Sequence, residues 1–417
     1  MGLWPRGPRG DAARPLGVRS RWRDEPGEDL PGRRYLRGDP DRAHQARPRG
    51  GHVDLAIYQL EGLVPSRSQR PSDTATLARG IGEANETNSS IVVWGGGTRI
   101  GVGNAPARYD IAIDLRDLSG IVEHSPADLV CTVRGGTTVA TLAAELARAG
   151  QRWPVDVADP ERATIGGTIA SAAPSPSRLR HQHVRDWVIG CTAVLGDGTV
   201  ARAGGRVVKN VTGYDLARLY SGTFGTLAVL AEVSLKLSAI DEAVRAFRVD
   251  ESAYEDLRHL PLDSLVLTTG HTRGLYVRVA GLAAAVERVS RELARYHATE
   301  IASVAWDQTV HPSTDAADLT RASVPPWRER EVAIGDAMAY LGTGIVFLLG
   351  ERSDDDLRAL RERCERMGGA LVLERADPSR KRSLGVWGTP RNAPRITQAL
   401  KARFDPKGVL APGRLPA

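Results

Sequence analysis

VVWGGGTRIGVG, residues 92–103, is the stretch that decides the fold of this chain. The β-branched pair Val92 and Val93 runs into three consecutive glycines, and Thr98 and two more glycines follow. Successive glycines indicate backbone that turns sharply or lies very close to a neighbour. A strand that ends in such a loop offers several free N–H groups in one concavity, which suits a pyrophosphate, and Thr98 adds a hydroxyl donor. A tight structural turn is the alternative interpretation of the loop taken alone.

Two common nucleotide-binding motifs do not fit this loop. The Walker A motif needs GxxxxGK followed by Ser or Thr, and no lysine follows a glycine at that spacing. The dinucleotide motif GxGxxG also fails, because Gly95 and Gly97 are followed by Ile100 where the third glycine belongs. The loop therefore predicts an anion site outside those two classes.

Two later segments also combine glycines with polar residues. DPERATIGGTIASAAPSPS (159–177) places a glycine pair after an isoleucine. GGRVVKNVTGYDLARLYSGTFGTLAVL (204–230) holds four polar residues close together between glycines: Lys209, Asn210, Tyr214 and Asp215. Polar groups this dense among turn residues indicate ligand contact. The alternative is a solvated loop before a helix capped at Thr212 or Asp215.

Composition excludes several classes of function. The net charge is +6, but residues 1–50 hold 12 arginines against 7 acidic residues, so the rest is nearly neutral and nucleic acid is not the expected partner. Three widely separated cysteines argue against an iron–sulfur centre, a zinc ribbon or a disulfide scaffold, as in a reducing compartment. No apolar run approaches the roughly 20 residues of a membrane span. We expect a cytoplasmic protein with no direct membrane insertion and no metal site.

Changes in composition and in hydrophobic patterning divide the chain into four parts. Residues 1–50, rich in Arg and Pro, predict a disordered tail or a misplaced start codon. Residues 51–240 mix short strands and helices without the regular alternation of a doubly wound sheet. Residues 241–378 predict a separate α+β domain, with an irregular loop insertion at 303–340, and residues 379–417 form a C-terminal segment that returns to the first domain. Periodicity and turn residues predict the individual elements: helices at 72–89, 139–150, 282–296 and 354–369, strands at 274–281, 342–350 and 370–376, and a hairpin at 186–203 that turns at Asp197–Gly198.

The three glycine-rich segments together, in this order and spacing, resemble the FAD-binding domain of the vanillyl-alcohol oxidase and p-cresol methylhydroxylase (PCMH) family. The resemblance implies an α+β fold, in which a two-subdomain PCMH-type FAD-binding domain precedes a smaller α+β cap domain with an antiparallel sheet. It implies that the first loop grips the FAD pyrophosphate, that TIGG runs along the ribityl chain and isoalloxazine, and that the strand at DWVIG contacts the flavin. The implied cofactor-binding residues are Gly95, Gly96, Gly97, Thr98, Arg99, Ile100, Pro160, Thr164, Ile165, Gly166, Gly167, Thr168, Ser171, Val188, Ile189, Asn210 and Tyr214.

A closer resemblance is to the FAD-binding E subunits of bacterial glycolate oxidases, carried by GGRVVKNVTGYDLARL (204–219) and FDPKGVLAPGRL (404–415). Related D subunits and D-lactate dehydrogenases usually have GSEGTL where Phe224 here replaces the acid, and a His-rich metal motif that is absent after His311. Both differences favour the E type. Covalent members of the family carry His or Cys in the first loop or near 159–170, and this chain has neither there, so we expect non-covalent FAD. Ala411 stands where the family commonly has Asn, which removes a side-chain hydrogen bond.

This resemblance implies an FAD-binding subunit of a glycolate (2-hydroxy acid) oxidase complex. Its implied partners are a catalytic flavoprotein and an iron–sulfur subunit, which would carry the substrate site and the iron–sulfur centres. The chain would pass electrons within this complex and would meet the membrane through it. A stand-alone FAD-dependent dehydrogenase of a 2-hydroxy acid such as D-lactate is one alternative. A non-catalytic scaffold subunit that has lost flavin is the other.

Substrate-binding residues are less clearly marked. An arginine would bind the carboxylate of a 2-hydroxy acid, and the candidates are Arg178, Arg180 and Arg206. His181 and His183 are the nearest bases, and we interpret them as histidines of a surface loop. The alternative is half of a metal site, because on a strand the two side chains would point the same way. No catalytic residue is assigned. Trp306, Trp327 and Trp387 are either interface anchors or ordinary core residues.

Overall fold

The structure, a computed structural model, describes residues 54–205, 214–389 and 394–415. These residues contain four sheets. A parallel three-stranded sheet, a two-stranded ribbon and an antiparallel five-stranded sheet lie within residues 67–239, and an antiparallel eight-stranded sheet occupies residues 243–375. The predicted α+β class, with an antiparallel sheet in the second part of the chain, is confirmed. The tail predicted at 1–50 lies outside the described residues.

The first region contains the two sheets that flank the glycine loop. Its strands are β1 (Arg67–Gln69), β2 (Ile91–Trp94), β3 (Ile111–Asp114), β4 (Ile121–Ser125), β5 (Val130–Arg134), β6 (Gln151–Arg152), β7 (Val188–Leu195), β8 (Val200–Gly204), β9 (Ala228–Lys236) and β10 (Ser238–Ala239). Its helices are α1 (Thr74–Glu86), α2 (Val139–Ala147), α3 (Ile165–Ala170), α4 (Arg178–His181) and α5 (Leu216–Tyr220). The strand orders are β1-β3-β2 in the parallel sheet and β4-β5-β9-β7-β8 in the antiparallel one, while β6 pairs with β10.

Local chemistry explains why these elements form where the sequence predicts them. Asp73 caps α1, because its carboxylate accepts a hydrogen bond of 2.7 Å from the Thr76 N–H. The helix then buries Leu77 and Ile81 at helical spacing. In the hairpin of β7 and β8, Gly198 takes a φ of +86°, which allows the tight turn between the two strands. The sequence predictions of this helix and this hairpin are confirmed.

The eight-stranded sheet forms the second region and is called the cap sheet below. Its strands are β11 (Ala243–Val249), β12 (Ser264–Thr268), β13 (Gly274–Gly281), β14 (Thr299–Ile301), β15 (Leu319–Ser323), β16 (Ala337–Tyr340), β17 (Ile345–Leu349) and β18 (Ala370–Arg375). The helices of this region are α6 (Tyr254–Leu257), α7 (Ala283–Leu293), α8 (Ser303–Val310), α9 (Asp354–Arg366) and α10 (Pro378–Leu384). The strand order is β14-β11-β13-β12-β16-β17-β15-β18.

The prediction of an irregular loop insertion at 303–340 is wrong. This segment contains α8 and two strands inside the cap sheet, with β15 paired to β17 and β18, and β16 paired to β12 and β17. The two strands read LTRAS and AMAY, which are too short and too weakly alternating to indicate strands. Neighbouring strands rather than local propensity therefore fix their conformation.

The cap sheet has two differently covered faces. Helices α7 and α9 cover one face and bury Val286, Leu357 and Leu360 against it. On the other face lie Tyr340 and Phe347, with rings 5.5 Å apart, and Trp306, which is 1 % exposed. Trp306 is thus a core residue, whereas Trp327 and Trp387 are half-buried.

The C-terminal segment lies against the strand that leads into the glycine loop. After α11 (Pro394–Phe404), the Ala411 N–H donates to the Ile91 carbonyl and the Ile91 N–H donates to the Val409 carbonyl, each over 2.7 Å. The buried carboxylate of Asp405 accepts from the N–H groups of Val409 and Leu410 and pairs with Lys401 over 2.5 Å. One carboxylate therefore shapes the turn that brings the chain back to β2.

Among the described residues, no helix combines the length and the apolar character needed to cross a membrane.

We expect Asp405→Ala to lower the free energy of unfolding by about 3 kcal/mol, because it leaves two buried N–H groups unpaired and breaks an ion pair. Urea unfolding followed by circular dichroism measures this change. Lys407→Ala in the same segment removes an exposed side chain and should cost less than about 0.5 kcal/mol. Equal losses in the two variants would contradict this account.

Candidate functional site

The glycine loop packs directly on the backbone of the second glycine-rich segment. A Cβ on Gly95 would lie 2.3 Å from Thr164 Oγ1, and a Cβ on Gly96 would lie 1.6 Å from the carbonyl oxygen of Arg162. Gly97 takes a φ of +74°, in the left-handed region. The loop is therefore a tight turn that only glycine can make in this packing.

The same turn leaves a row of hydrogen-bond donors free. Within the described part of the chain, the backbone N–H groups of Gly95–Arg99 donate to no acceptor, and the Thr98 hydroxyl has no partner either. The loop lines two cavities of about 80 and 70 Å³, together with Thr164 and Gly167. Successive free N–H groups in a concavity form an anion nest. The tight turn and the anion site are thus one and the same structure.

Arg414 holds the far side of this loop. Its guanidinium donates to the carbonyl oxygens of Val102 over 2.5 Å and Asn104 over 2.9 Å, and also to that of Ile100. Burial lowers the pKa of Arg414 to about 10, so the side chain keeps its charge at neutral pH. Arg414 also lines the larger of the two loop cavities and adds a positive charge beside the free N–H groups.

Sequence reasoning missed Arg414 as a site residue. The sequence has PGR at 412–414, directly after Ala411, but this short pattern does not connect Arg414 with the glycine loop. Its contacts lie about three hundred residues away in sequence, with Ile100, Val102 and Asn104. No local pattern indicates such a distant pairing.

A second arginine ties the loop to the cap sheet. Arg99 Nη2 lies 2.7 Å from Glu374 Oε1 in β18, and Arg321 Nε in β15 lies 2.6 Å from the same oxygen. Burial alone would raise the pKa of Glu374, but the two guanidinium groups outweigh it and hold the pKa at about 2. Glu374 is therefore charged and fixes the loop against the second region.

The loop cavities adjoin two others that reach the cap sheet. One, of about 40 Å³, lies between Thr98, His311 and Tyr340. The other, of about 440 Å³, shares Ser171 and Phe224 with the loop cavity and is called the large cavity below. Together they make an elongated tract from the glycine loop to the inner face of the cap sheet, a shape that suits an extended ligand.

Most of the predicted cofactor residues line this tract. They are Gly95, Gly96, Gly97, Thr98, Arg99, Ile100, Thr164, Gly166, Gly167, Thr168 and Ser171. Ile165 is fully buried beneath them, and its N–H donates to the Thr137 carbonyl over 2.8 Å.

The structure does not place four other predicted residues on the tract. Pro160 is exposed, and Val188 points from β7 into the core of the five-stranded sheet. Ile189 is half-buried, with its carbonyl accepting from Gly205, and Tyr214 is 91 % exposed just before α5. Asn210 lies outside the described residues. Alternation along β7 explains the position of Val188, because its inward side chains pack into the core.

Two of the three arginines predicted to bind a substrate carboxylate lie among the described residues, and they differ in their partners. Arg180 is bound to Asp241 over 3.1 Å and to the Ala280 carbonyl over 2.9 Å, so its charge is used in the fold. Arg178 lines the large cavity. Arg206 lies outside the described residues.

The two histidines do not form a pair. They lie on α4 and the turn after it, where Gln182 takes a φ of +63°, and not on a strand. His181 Nε2 lies 3.3 Å from Asp263 Oδ1, whereas His183 lines the large cavity. Among residues 54–205, 214–389 and 394–415, no three His, Cys, Asp or Glu side chains gather as a metal site would require.

Comparison with known proteins defines the class first. Residues 65–204 match the FAD binding domain family. The structure of an alkyldihydroxyacetonephosphate synthase shares the fold, with a TM-score of 0.61 at 14 % identity over 84 % of this chain and 77 % of that one. The predicted PCMH-type fold is confirmed, and the cofactor is FAD.

Two glycolate oxidase subunits with similar sequences define the family within this class of FAD-binding proteins. The chain is 30 % identical to the glycolate oxidase subunit GlcE of Escherichia coli, over 81 % of this chain and 96 % of that protein. It is also 30 % identical to the glycolate oxidase subunit GlcD of Bacillus subtilis, over 42 % of this chain and 37 % of that protein. The chain belongs to the GlcE family of PCMH-type FAD-linked oxidoreductases.

The residues present fit this cofactor. A pyrophosphate carries negative charge on oxygens that accept hydrogen bonds, and the free N–H groups of Gly95–Arg99 and the Arg414 guanidinium offer matching donors. The adjoining cavities offer room for the rest of an extended dinucleotide.

We expect Gly96→Ala to weaken FAD binding by about 100-fold or more, because its Cβ must displace the Arg162 carbonyl and open the nest. Titration of the apoprotein with FAD, followed by flavin fluorescence, measures the affinity. Gly101→Ala is the matched control, because a Cβ there meets Arg375 Cγ at an ordinary 3.5 Å. If both variants bound FAD as tightly as the wild type, the packing argument would fail.

Glu374 should make stability depend on pH. Its folded-state pKa of about 2 lies below the ordinary 4.5, so the carboxylate stabilises the fold above pH 4.5, and this contribution is lost as the pH falls from 4.5 towards 2. The difference in free energy of unfolding between the wild type and Glu374→Gln should therefore shrink over that range. A difference that stays constant would show that the ion pairs contribute nothing.

Proposed function

We propose that this chain is the FAD-binding E-type subunit of a glycolate oxidase complex that oxidises 2-hydroxy acids. The observation that carries the proposal is the nest of free N–H groups at Gly95–Arg99, closed by Arg414. It occurs in a chain that spans 96 % of the length of GlcE. The predicted cofactor-binding residues that line the tract, with Arg414 added, are proposed to hold FAD.

FAD, when bound, supplies the hydride acceptor for the oxidation of a CH–OH group. The residues of this chain bind the pyrophosphate, orient the flavin and exclude water. We assign the exclusion of water to the cap sheet, whose Tyr340 and Phe347 face the tract beside Thr98. In this proposal residues 51–240 form the FAD-binding domain, residues 241–378 its cover, and residues 379–417 the segment that locks the loop.

Two kinds of partner belong to the proposal, a catalytic flavoprotein of the GlcD type and an iron–sulfur subunit. A stand-alone dehydrogenase is the second candidate function. It is favoured by 30 % identity to the D-lactate dehydrogenase of Archaeoglobus fulgidus, over 40 % of this chain and 38 % of that protein. We prefer the subunit, because the match to GlcE covers 81 % of this chain and the sequence has no histidine after His311.

We expect the purified chain to be yellow and to release all of its FAD into the supernatant after acid precipitation. Covalent members of the family carry a Cys or His in the first loop or near 159–170, and the sequence of this chain has neither at those positions. Visible absorption before and after precipitation is the measurement. Flavin that stays in the pellet would contradict non-covalent binding, and a colourless chain that FAD cannot reconstitute would leave only the scaffold function.

Activity with an artificial electron acceptor separates the two enzymatic candidates. We expect the FAD-loaded chain alone to oxidise glycolate or D-lactate at least about tenfold more slowly than the same chain co-purified with GlcD-type and iron–sulfur partners. The rate of dye reduction per flavin measures this ratio. A ratio near one would favour the stand-alone dehydrogenase.

A further inference from the structure

The large cavity contains a cation that the fold does not use. Arg178 lines this cavity at the start of α4, and its guanidinium makes no hydrogen bond or ion pair among the described residues, the carboxylate of Asp186 acting on it only at longer range. Arginines that are part of the fold, such as Arg180 with Asp241, are paired. An unpaired, half-buried guanidinium beside empty space points to a ligand of opposite charge.

The surroundings of Arg178 strengthen its positive potential. Burial lowers the pKa of Arg178, and the neighbouring Arg185 and Arg321 lower it further, against a smaller opposite effect of Asp186. Arg321 lies on the same cavity, and the Glu374 carboxylate that it contacts is shared with Arg99. The cavity therefore has more positive than negative charge around it.

His183 adds an uncharged polar group to the same wall. Burial lowers its pKa to about 4, with further lowering by Arg178, Arg185 and Arg321 and an opposite effect of Asp186. The imidazole is thus neutral at neutral pH and has a nitrogen that can accept a hydrogen bond. Across the cavity Phe224 and Trp387, with ring centroids 5.4 Å apart, form an apolar wall.

We propose that the end of the large cavity beside Arg178 binds a small 2-hydroxy acid next to the cofactor, with its carboxylate between Arg178 and Arg321 and its hydroxyl donating to His183. This inference rests on the proposed function, which supplies the 2-hydroxy acid. It places acid-binding residues of this chain in the segment after TIGG and on β15, in addition to the substrate site of the catalytic flavoprotein. The free N–H groups that suit a pyrophosphate lie elsewhere, at Gly95–Arg99.

The test uses the FAD-loaded chain and isothermal titration with glycolate, with oxalate and with uncharged glycolamide. We expect glycolate and oxalate to bind and glycolamide not to bind. Arg178→Gln should weaken the binding of both acids by about 10- to 100-fold and leave the FAD content unchanged. Arg185→Gln is the matched control, because it removes a nearby exposed charge that does not line the cavity, and should change affinity by less than about threefold.

A second measurement uses only the wild-type chain, so it does not depend on whether a variant folds. A bound carboxylate would offset the field of Arg178, so the pKa of His183 in the wild type should rise when oxalate is added, as followed by NMR of the imidazole. An unchanged His183 titration with saturating oxalate would overturn the inference.

The outcomes distinguish this inference from the proposed function. A chain that binds FAD but neither acid overturns the inference alone. Loss of FAD from Arg178→Gln, with acid binding unchanged, would show that the anion in this cavity is the phosphate of the cofactor, and would also overturn it. A wild-type chain that binds no FAD would refute the proposed function instead.

Discussion

The whole site depends on how closely two backbone segments approach each other. The carbonyl of Arg162 lies where a Cβ on Gly96 would be, and Thr164 crowds Gly95 in the same way. This contact turns the chain sharply at the end of β2, and the N–H groups of Gly95–Arg99 have no acceptor among the described residues. A packing constraint thereby becomes a binding property, because the backbone that cannot bond to itself is free to bond to an anion.

Distant parts of the chain hold this turn in place. Arg414, near the C-terminus, binds carbonyl oxygens on its outer side, and Arg99 joins it to Glu374 in the cap sheet. The C-terminal segment is itself shaped by Asp405 and paired with Ile91 of β2. The candidate cofactor site is therefore assembled from the first region, the cap sheet and the last residues together. The likeness to GlcE covers 81 % of the chain, whereas the FAD binding domain family matches residues 65–204.

Sequence alone predicts the parts of this structure that local chemistry decides. Asp73 caps its helix and Gly198 makes its turn because side-chain acceptors and positive φ act within a few residues. The sharp turn of the glycine loop was predictable for the same reason, whereas the residues around TIGG were predicted from the family resemblance. The strands β15 and β16 were not, since pairing with distant neighbours fixes them, and neither was the clamp of Arg414. The strand on which His181 and His183 would share a face does not form, because α4 is helical up to His181 and the chain turns at Gln182.

A crystal structure of the purified chain with its FAD would test the central claim most directly. The account predicts that the pyrophosphate oxygens lie within hydrogen-bond distance of the N–H groups of Gly95–Arg99, with Arg414 still bound to the loop carbonyls. It would be contradicted if those N–H groups faced only water and the pyrophosphate lay elsewhere, for example beside Arg178 in the large cavity.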